Sequence, residues 1–302
     1  MGATRALAWA QVIKNEEQGI MDMKNINPET VNYLGYCQTR LNLQPQNMRL
    51  LDYGCGTGQA VLSLRLAGYE AFGVDIDRRA ISDGQKLLDE HGFDGRNILF
   101  SFKENEPIPF DDKTFHFIMS HEVIEHIGDI SIVTRDLRRV SAPDGLGFHV
   151  FRPPYNIVEP HFGMPFVHWL PKNKLRKCAI MMFAYLGMGM HPPEIPGAGP
   201  RERAEFLYHY SITRTFYRPY SLIGNAFRES GFGICFPATN HRKLRNSSLF
   251  SGLLAIPIFD RLLGWFILTF GNAYLLTQTP NSEDKLVEDQ IQIGNWKSRL
   301  LT

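Results

Sequence analysis

The run Leu50-Leu51-Asp52-Tyr53, followed by Gly54-Cys55-Gly56-Thr57-Gly58 and then by Ala60 to Ala67 with helical apolar spacing, constrains the chain more than any other segment. A short apolar run, a loop of small residues and a helix, in that order, set unpaired helix-start N–H groups beside a main chain that a ligand can approach closely. Such a unit suits a nucleotide-like ligand. The spacing is GxGxG, whereas a dinucleotide fingerprint needs its third glycine one place later, where Gln59 stands. The next apolar run, Glu70 to Asp75, ends in a carboxylate that can accept hydrogen bonds from both hydroxyls of a ribose. Beside it, Ile76 offers an apolar surface for a base.

The same alternation of strand and helix continues. A strand at Asn97–Phe102 follows a helix over Arg78–His91, and Phe115–Ser120 and Leu146–Phe151 read as two more strands around a helix at Ile130–Val140, with a turn at Ala142-Pro143-Asp144-Gly145. Repeated βαβ units imply a parallel sheet. Beyond Arg152 the alternation fails until a helix at Ser221–Ser230, a strand at Phe232–Pro237, a further apolar helix and a final strand at Ala273–Thr277. The expected fold is α/β, Rossmann-like and doubly wound: a mostly parallel seven-stranded sheet with helices on both faces and a substrate-binding insertion. The expected organisation is an N-terminal helical cap over 1–45, a catalytic domain over 46–280 and a polar tail over 281–302. Within the domain, 46–152 forms the cofactor half, 153–214 the substrate insertion and 215–280 the closing helices and strands.

Residues 48–152 resemble the class I methyltransferases, especially those related to ubiquinone and menaquinone biosynthesis. Leu50 to Gly58 resembles the first motif of that family and Gly73-Val74-Asp75-Ile76-Asp77 the second. The resemblance implies S-adenosylmethionine as cofactor, its methionine part held by Asp52 and by the backbone of Gly54, Cys55, Gly56 and Gly58, and its ribose by Asp75. Glu104-Asn105-Glu106-Pro107-Ile108-Pro109-Phe110 resembles the adenine-edge motif, with Glu104 where the family usually has Asp. Phe115 to His126 is similar to the fourth strand and its following loop, which implies that Ser120 and His121 line the methionine side. A nicotinamide-dependent oxidoreductase and a non-catalytic cofactor-binding protein are the alternatives.

His121, Glu122, Glu125 and His126 satisfy neither HExxH nor HxxEH, so no metal site is expected. Methyl transfer needs mainly alignment and exclusion of water, with a base only where a proton must leave. His121, His126 and His161 are the candidate bases. Lys+Arg of 32 against Asp+Glu of 31 leaves a net charge of +1, which advertises no nucleic-acid partner and favours a small-molecule or lipid-linked acceptor. The segment His161-Phe162-Gly163 with its flanking prolines is similar to one in methyltransferases of bacterial surface-polysaccharide and natural-product clusters, a resemblance that implies oxygen as the acceptor atom. The scattered cysteines and the absence of a signal-like N-terminus suggest a cytoplasmic protein. Peripheral membrane contact through 249–270 is a further expectation, since that stretch is long and apolar but carries Pro257, Asp260 and Arg261.

Overall fold

Asn27 caps the first helix by accepting the Glu29 amide, and Pro28 stands in the first turn, where a missing N–H costs nothing. This helix, α1 (Pro28–Leu41), opens the part of the chain that the computed structural model describes, residues 25–236 and 273–280. There follow β1 (Arg49–Tyr53), α2 (Gln59–Leu66), β2 (Glu70–Asp75), α3 (Arg78–Glu90), β3 (Leu99–Ser101), β4 (Phe115–His121), α4 (Ile130–Val140) and β5 (Ser141–Phe151). The remaining elements are α5 (Lys174–Tyr185), α6 (Pro200–Thr213), α7 (Tyr220–Glu229), β6 (Gly233–Cys235) and β7 (Ala273–Gln278).

The sheet has seven strands in the order β3-β2-β1-β4-β5-β7-β6. Pairing is parallel from β3 through β5, and β7 runs antiparallel between β5 and β6. The chain winds outward from β1 to β3 and then returns to lay β4 on the other side of β1. That reversal opens a crevice at the carboxyl ends of β1 and β4, the usual ligand position in open α/β sheets.

Strand alternation divides the core between the two faces. Leu50 packs with Tyr33, Val61, Leu64 and Leu88 from α1 to α3. Leu51 packs with Leu137, Ile223 and Phe227 from α4 and α7. On the first face Phe148 of β5 is stacked between Tyr33, at 4.5 Å between centroids, and Tyr274 of β7, at 5.5 Å, which seats α1 on the sheet.

The structure departs from expectation in three places. The expected turn at Ala142–Gly145 lies within β5 as a bulge: Phe115 pairs with Ser141 and Phe117 with Leu146, and Asp144 takes φ 58°. The strand expected at Asn97–Phe102 shortens to Leu99–Ser101, because Gly95–Asn97 forms a single 3-10 turn before it. Residues 153–214, to which no element was assigned, contain α5 and α6 around a small core of Phe162, Met164, Val167, Ile180, Ala184, Ala204 and Leu207. Two buried arginines tie this part together. Arg176 donates to the carbonyls of His168, Leu170 and Ser211, and Arg203 to that of Ala184.

The expected tail at 281–302 and membrane-contact stretch at 249–270 lie outside the described residues, as do positions 1–24 of the expected cap. Among the described residues no helix is long and apolar enough to cross a membrane.

Candidate active site

The glycine loop is tied to β2 through one carbonyl: the amides of Gly54 and Cys55 donate to Val74 at 2.8 and 3.0 Å. Gly56 N donates to Asp75 Oδ2 and Asp77 N to Asp75 Oδ1, each at 2.8 Å. Asp75 is thereby fixed by both oxygens, and each keeps a second lone pair for a ligand. A Cβ added to Gly54 would lie 2.3 Å from Val123, whereas one on Gly56, at φ 53°, would meet nothing within 4 Å. The middle glycine opens onto free space, and Ile76 beside Asp75 stands 46% exposed.

Asp52 is buried at the end of β1, and burial first, with Asp75 second, pushes its carboxyl up to about 7. A positively charged ligand group beside it would relieve that strain. Burial, followed by Asp52 and Asp75, also pushes the Cys55 thiol well up, which removes it as a thiolate nucleophile. Glu104 and Asn105 are exposed after β3, and Glu104 Oε1 faces Gly128, 3.4 Å from where a Cβ would stand there. Ser120 is buried, its hydroxyl 2.8 Å from His149 Nδ1, so its main chain rather than its side chain is left for a ligand. His121 ends β4, exposed, and next to it Glu122, at φ 55°, pairs with Arg152.

Past β4 and β5 the structure assembles a cluster from distant positions. His126 Nε2 lies 3.0 Å from His161 Nε2, and His126 Nδ1 is 2.6 Å from the Arg214 carbonyl. His161 Nδ1 stands 2.6 Å from the Tyr217 hydroxyl and 3.2 Å from Glu159 Oε1, and that hydroxyl donates to the same Glu159 oxygen. Burial opposes the Glu159 charge, but hydrogen bonds from His161, Tyr217 and the Phe162 amide outweigh it and hold the carboxyl below its ordinary range. Glu125 is buried, with Oε1 accepting the Arg152 amide and Oε2 without a partner. Burial pushes its carboxyl up to about 7. The sequence offered His126 and His161 as separate candidate bases, and weighed Glu125 with His126 only against local metal-motif spacing. Glu159 and Tyr217 were missed because their partners stand on other elements.

Residues 44–148 match the family model described as a methyltransferase domain. The chain carries a class I S-adenosylmethionine-dependent methyltransferase domain. Curated relatives of the methyltransferase domain include an uncharacterised methyltransferase of Bacillus subtilis, 29% identical over 32% of this chain and 38% of that protein. A demethylmenaquinone methyltransferase of Anoxybacillus flavithermus is 27% identical over 35% of this chain and 45% of that protein. A ubiquinone biosynthesis O-methyltransferase of Bartonella tribocorum is 27% identical over 44% of this chain and 56% of that protein. The match thus takes in roughly half or less of the length of most of these relatives. The cofactor of the methyltransferase domain is S-adenosylmethionine, and the residues present fit it: open space over Gly56, a doubly anchored carboxylate at Asp75, and a buried acid at Asp52.

Proposed function

We propose that the protein transfers the methyl group of S-adenosylmethionine to an oxygen of a small-molecule or lipid-linked acceptor. The observation that carries this reading is the pairing of Gly56 with Asp75, a left-handed glycine open to ligand whose amide is held by the carboxylate. Asp52 and the backbone of Gly54, Cys55, Gly56 and Gly58 hold the methionine part, Asp75 the ribose, and Ile76 one face of the adenine. Glu104 and Asn105 take the adenine edge, and the Ser120 main chain with His121 the sulfonium side. Oxygen is favoured because a hydroxyl must lose its proton, and the edge beyond β4 and β5 offers imidazoles at His121, His126 and His161. Trp169, Leu175, Tyr185 and Leu186 stand 49–68% exposed on the segment after β5, a surface that suits an apolar acceptor.

Calorimetric titration with S-adenosylhomocysteine and with NAD tests the donor side, and labelled-methyl transfer into fractionated small molecules and lipids tests the acceptor. Binding of NAD without the homocysteine compound overturns the proposal, and label appearing only on nitrogen or carbon overturns its acceptor half.

A further inference from the structure

We infer that Glu125, His126 and His161 bind one divalent transition-metal ion, zinc being the metal their donors suit best. One ligand atom from each of the three lies within 4.8 Å of the others. The hydrogen bonds around the histidines fix their protons. A carbonyl only accepts, so His126 Nδ1 carries the hydrogen that meets Arg214 O. Tyr217 spends its one hydrogen on Glu159, so its oxygen and the carboxylate both accept from His161, which therefore carries a hydrogen on Nδ1 as well. Both Nε2 atoms are left as lone pairs, facing each other at 3.0 Å. Two lone pairs that close repel unless a cation lies between them.

A proton shared between the two nitrogens would sit in a bent bond, and the ring positions also leave room for a metal ion. Rings joined by a straight N–H···N bond of that length would have centroids ~5.3 Å apart, but these stand 4.7 Å apart with planes at 74°. For symmetrically placed rings the two distances bring the Nε2 lone pairs together about 2 Å from each nitrogen, the zinc–imidazole bond length. Glu125 Oε2, buried and without a hydrogen bond, supplies the third donor. Two histidines and one glutamate with a position left open form a known catalytic zinc set. Each histidine here also has the Nδ1 partner, a carbonyl or a carboxylate, that orients metal-bound imidazoles. The expectation of no metal came from local spacing alone, and His161 stands 35 residues from His126. A metal ion here would occupy both Nε2 atoms and so replace His126 and His161 as bases, lowering instead the pKa of a coordinated acceptor hydroxyl. Only that last role rests on the methyl-transfer reading.

The full chain is stripped with chelator and titrated calorimetrically with Zn²⁺, and in parallel loaded with Co²⁺ for its visible spectrum. One equivalent of Zn²⁺ and tetrahedral Co²⁺ bands are expected. Glu125→Gln and His161→Gln should weaken Zn²⁺ binding more than a hundredfold, and Tyr217→Phe about 10- to 100-fold through the lost orientation of His161. His209→Gln, an exposed histidine elsewhere, should change nothing. Absence of uptake by the wild-type chain, or uptake that survives both ligand variants, overturns the inference. Titration of the same samples with S-adenosylhomocysteine keeps the proposals apart. Metal uptake without donor binding leaves this site standing and removes the methyl-transfer reading, and donor binding without uptake does the reverse.

Discussion

Asp75 Oδ2 accepts the amide of Gly56 at 2.8 Å, across 19 residues of sequence. The carboxylate proposed to bind the ribose therefore also shapes the loop proposed to bind the methionine part, and the two halves of the donor site stand or fall together.

Asp75→Ala should lower affinity for S-adenosylhomocysteine by about 10- to 100-fold and cost about 1–2 kcal/mol of stability, since the Gly56 and Asp77 amides both lose their acceptor. Calorimetry and urea unfolding read the two effects separately. Unchanged affinity in a folded variant removes Asp75 from the site.

Gly56→Ala separates ligand space from folding. A side chain at φ 53° costs roughly 1–2 kcal/mol, and its Cβ meets no protein atom within 4 Å. Thermal melting should fall modestly while donor affinity drops at least tenfold. Normal binding by this variant would place the ligand elsewhere.

Asp52→Asn should stabilise the ligand-free protein at pH 8 and leave it unchanged near pH 4. Burial and Asp75 hold the native carboxyl at about 7, above its unfolded value. The native state therefore binds the extra proton, and stability falls as pH rises from about 4 to 7. The variant lacks this penalty, and it should also bind donor more weakly. Melting temperatures across that range check the sign, and a gain at pH 4 equal to that at pH 8 contradicts it.

His149 gives the opposite slope. Burial pushes its imidazole down to about 3, so it stays neutral beside Ser120. Its contribution is full above the unfolded value near 6.5 and is lost as pH falls toward 3, at about 1.4 kcal/mol per unit. Between pH 6.5 and 5 the wild type should lose about 2 kcal/mol more than His149→Gln in urea unfolding. Parallel pH profiles for the two proteins count against a buried neutral His149.

Arg176→Met should destabilise the segment around α5 and α6 by about 2–4 kcal/mol, because carbonyls of His168, Leu170 and Ser211 lose a buried donor. Proteolysis should then cut first between residues 160 and 214, with the sheet still protected in hydrogen exchange. Uniform loss of protection across the sheet would show that the segment does not unfold on its own.

The glycine loop and the strands beside it were legible because their signals are local: apolar run, small-residue loop and terminal carboxylate lie close together in the chain, and β1, β2 and β4 fall where period and turns place them. Sequence could not show that the Ser120 hydroxyl turns toward His149, since a one-residue step decides the face of a strand. It also missed α5 and α6, whose buried Arg176 and Arg203 read as surface residues when met one at a time. The cluster of Glu125, His126, Glu159, His161 and Tyr217 draws on three separate stretches of chain. Motif spacing sees only one stretch.

The last described strand, β7, lies between β5 and β6. On a ribosome, β5 and everything N-terminal to it emerge well before their neighbour exists, and β6 emerges with no strand to join. Until residues 273–278 arrive, the growing sheet carries a bare hydrogen-bonding edge along β5, where another nascent chain can attach. The order of synthesis thus leaves the β5 edge open until the last described strand is made, without touching any residue of the site.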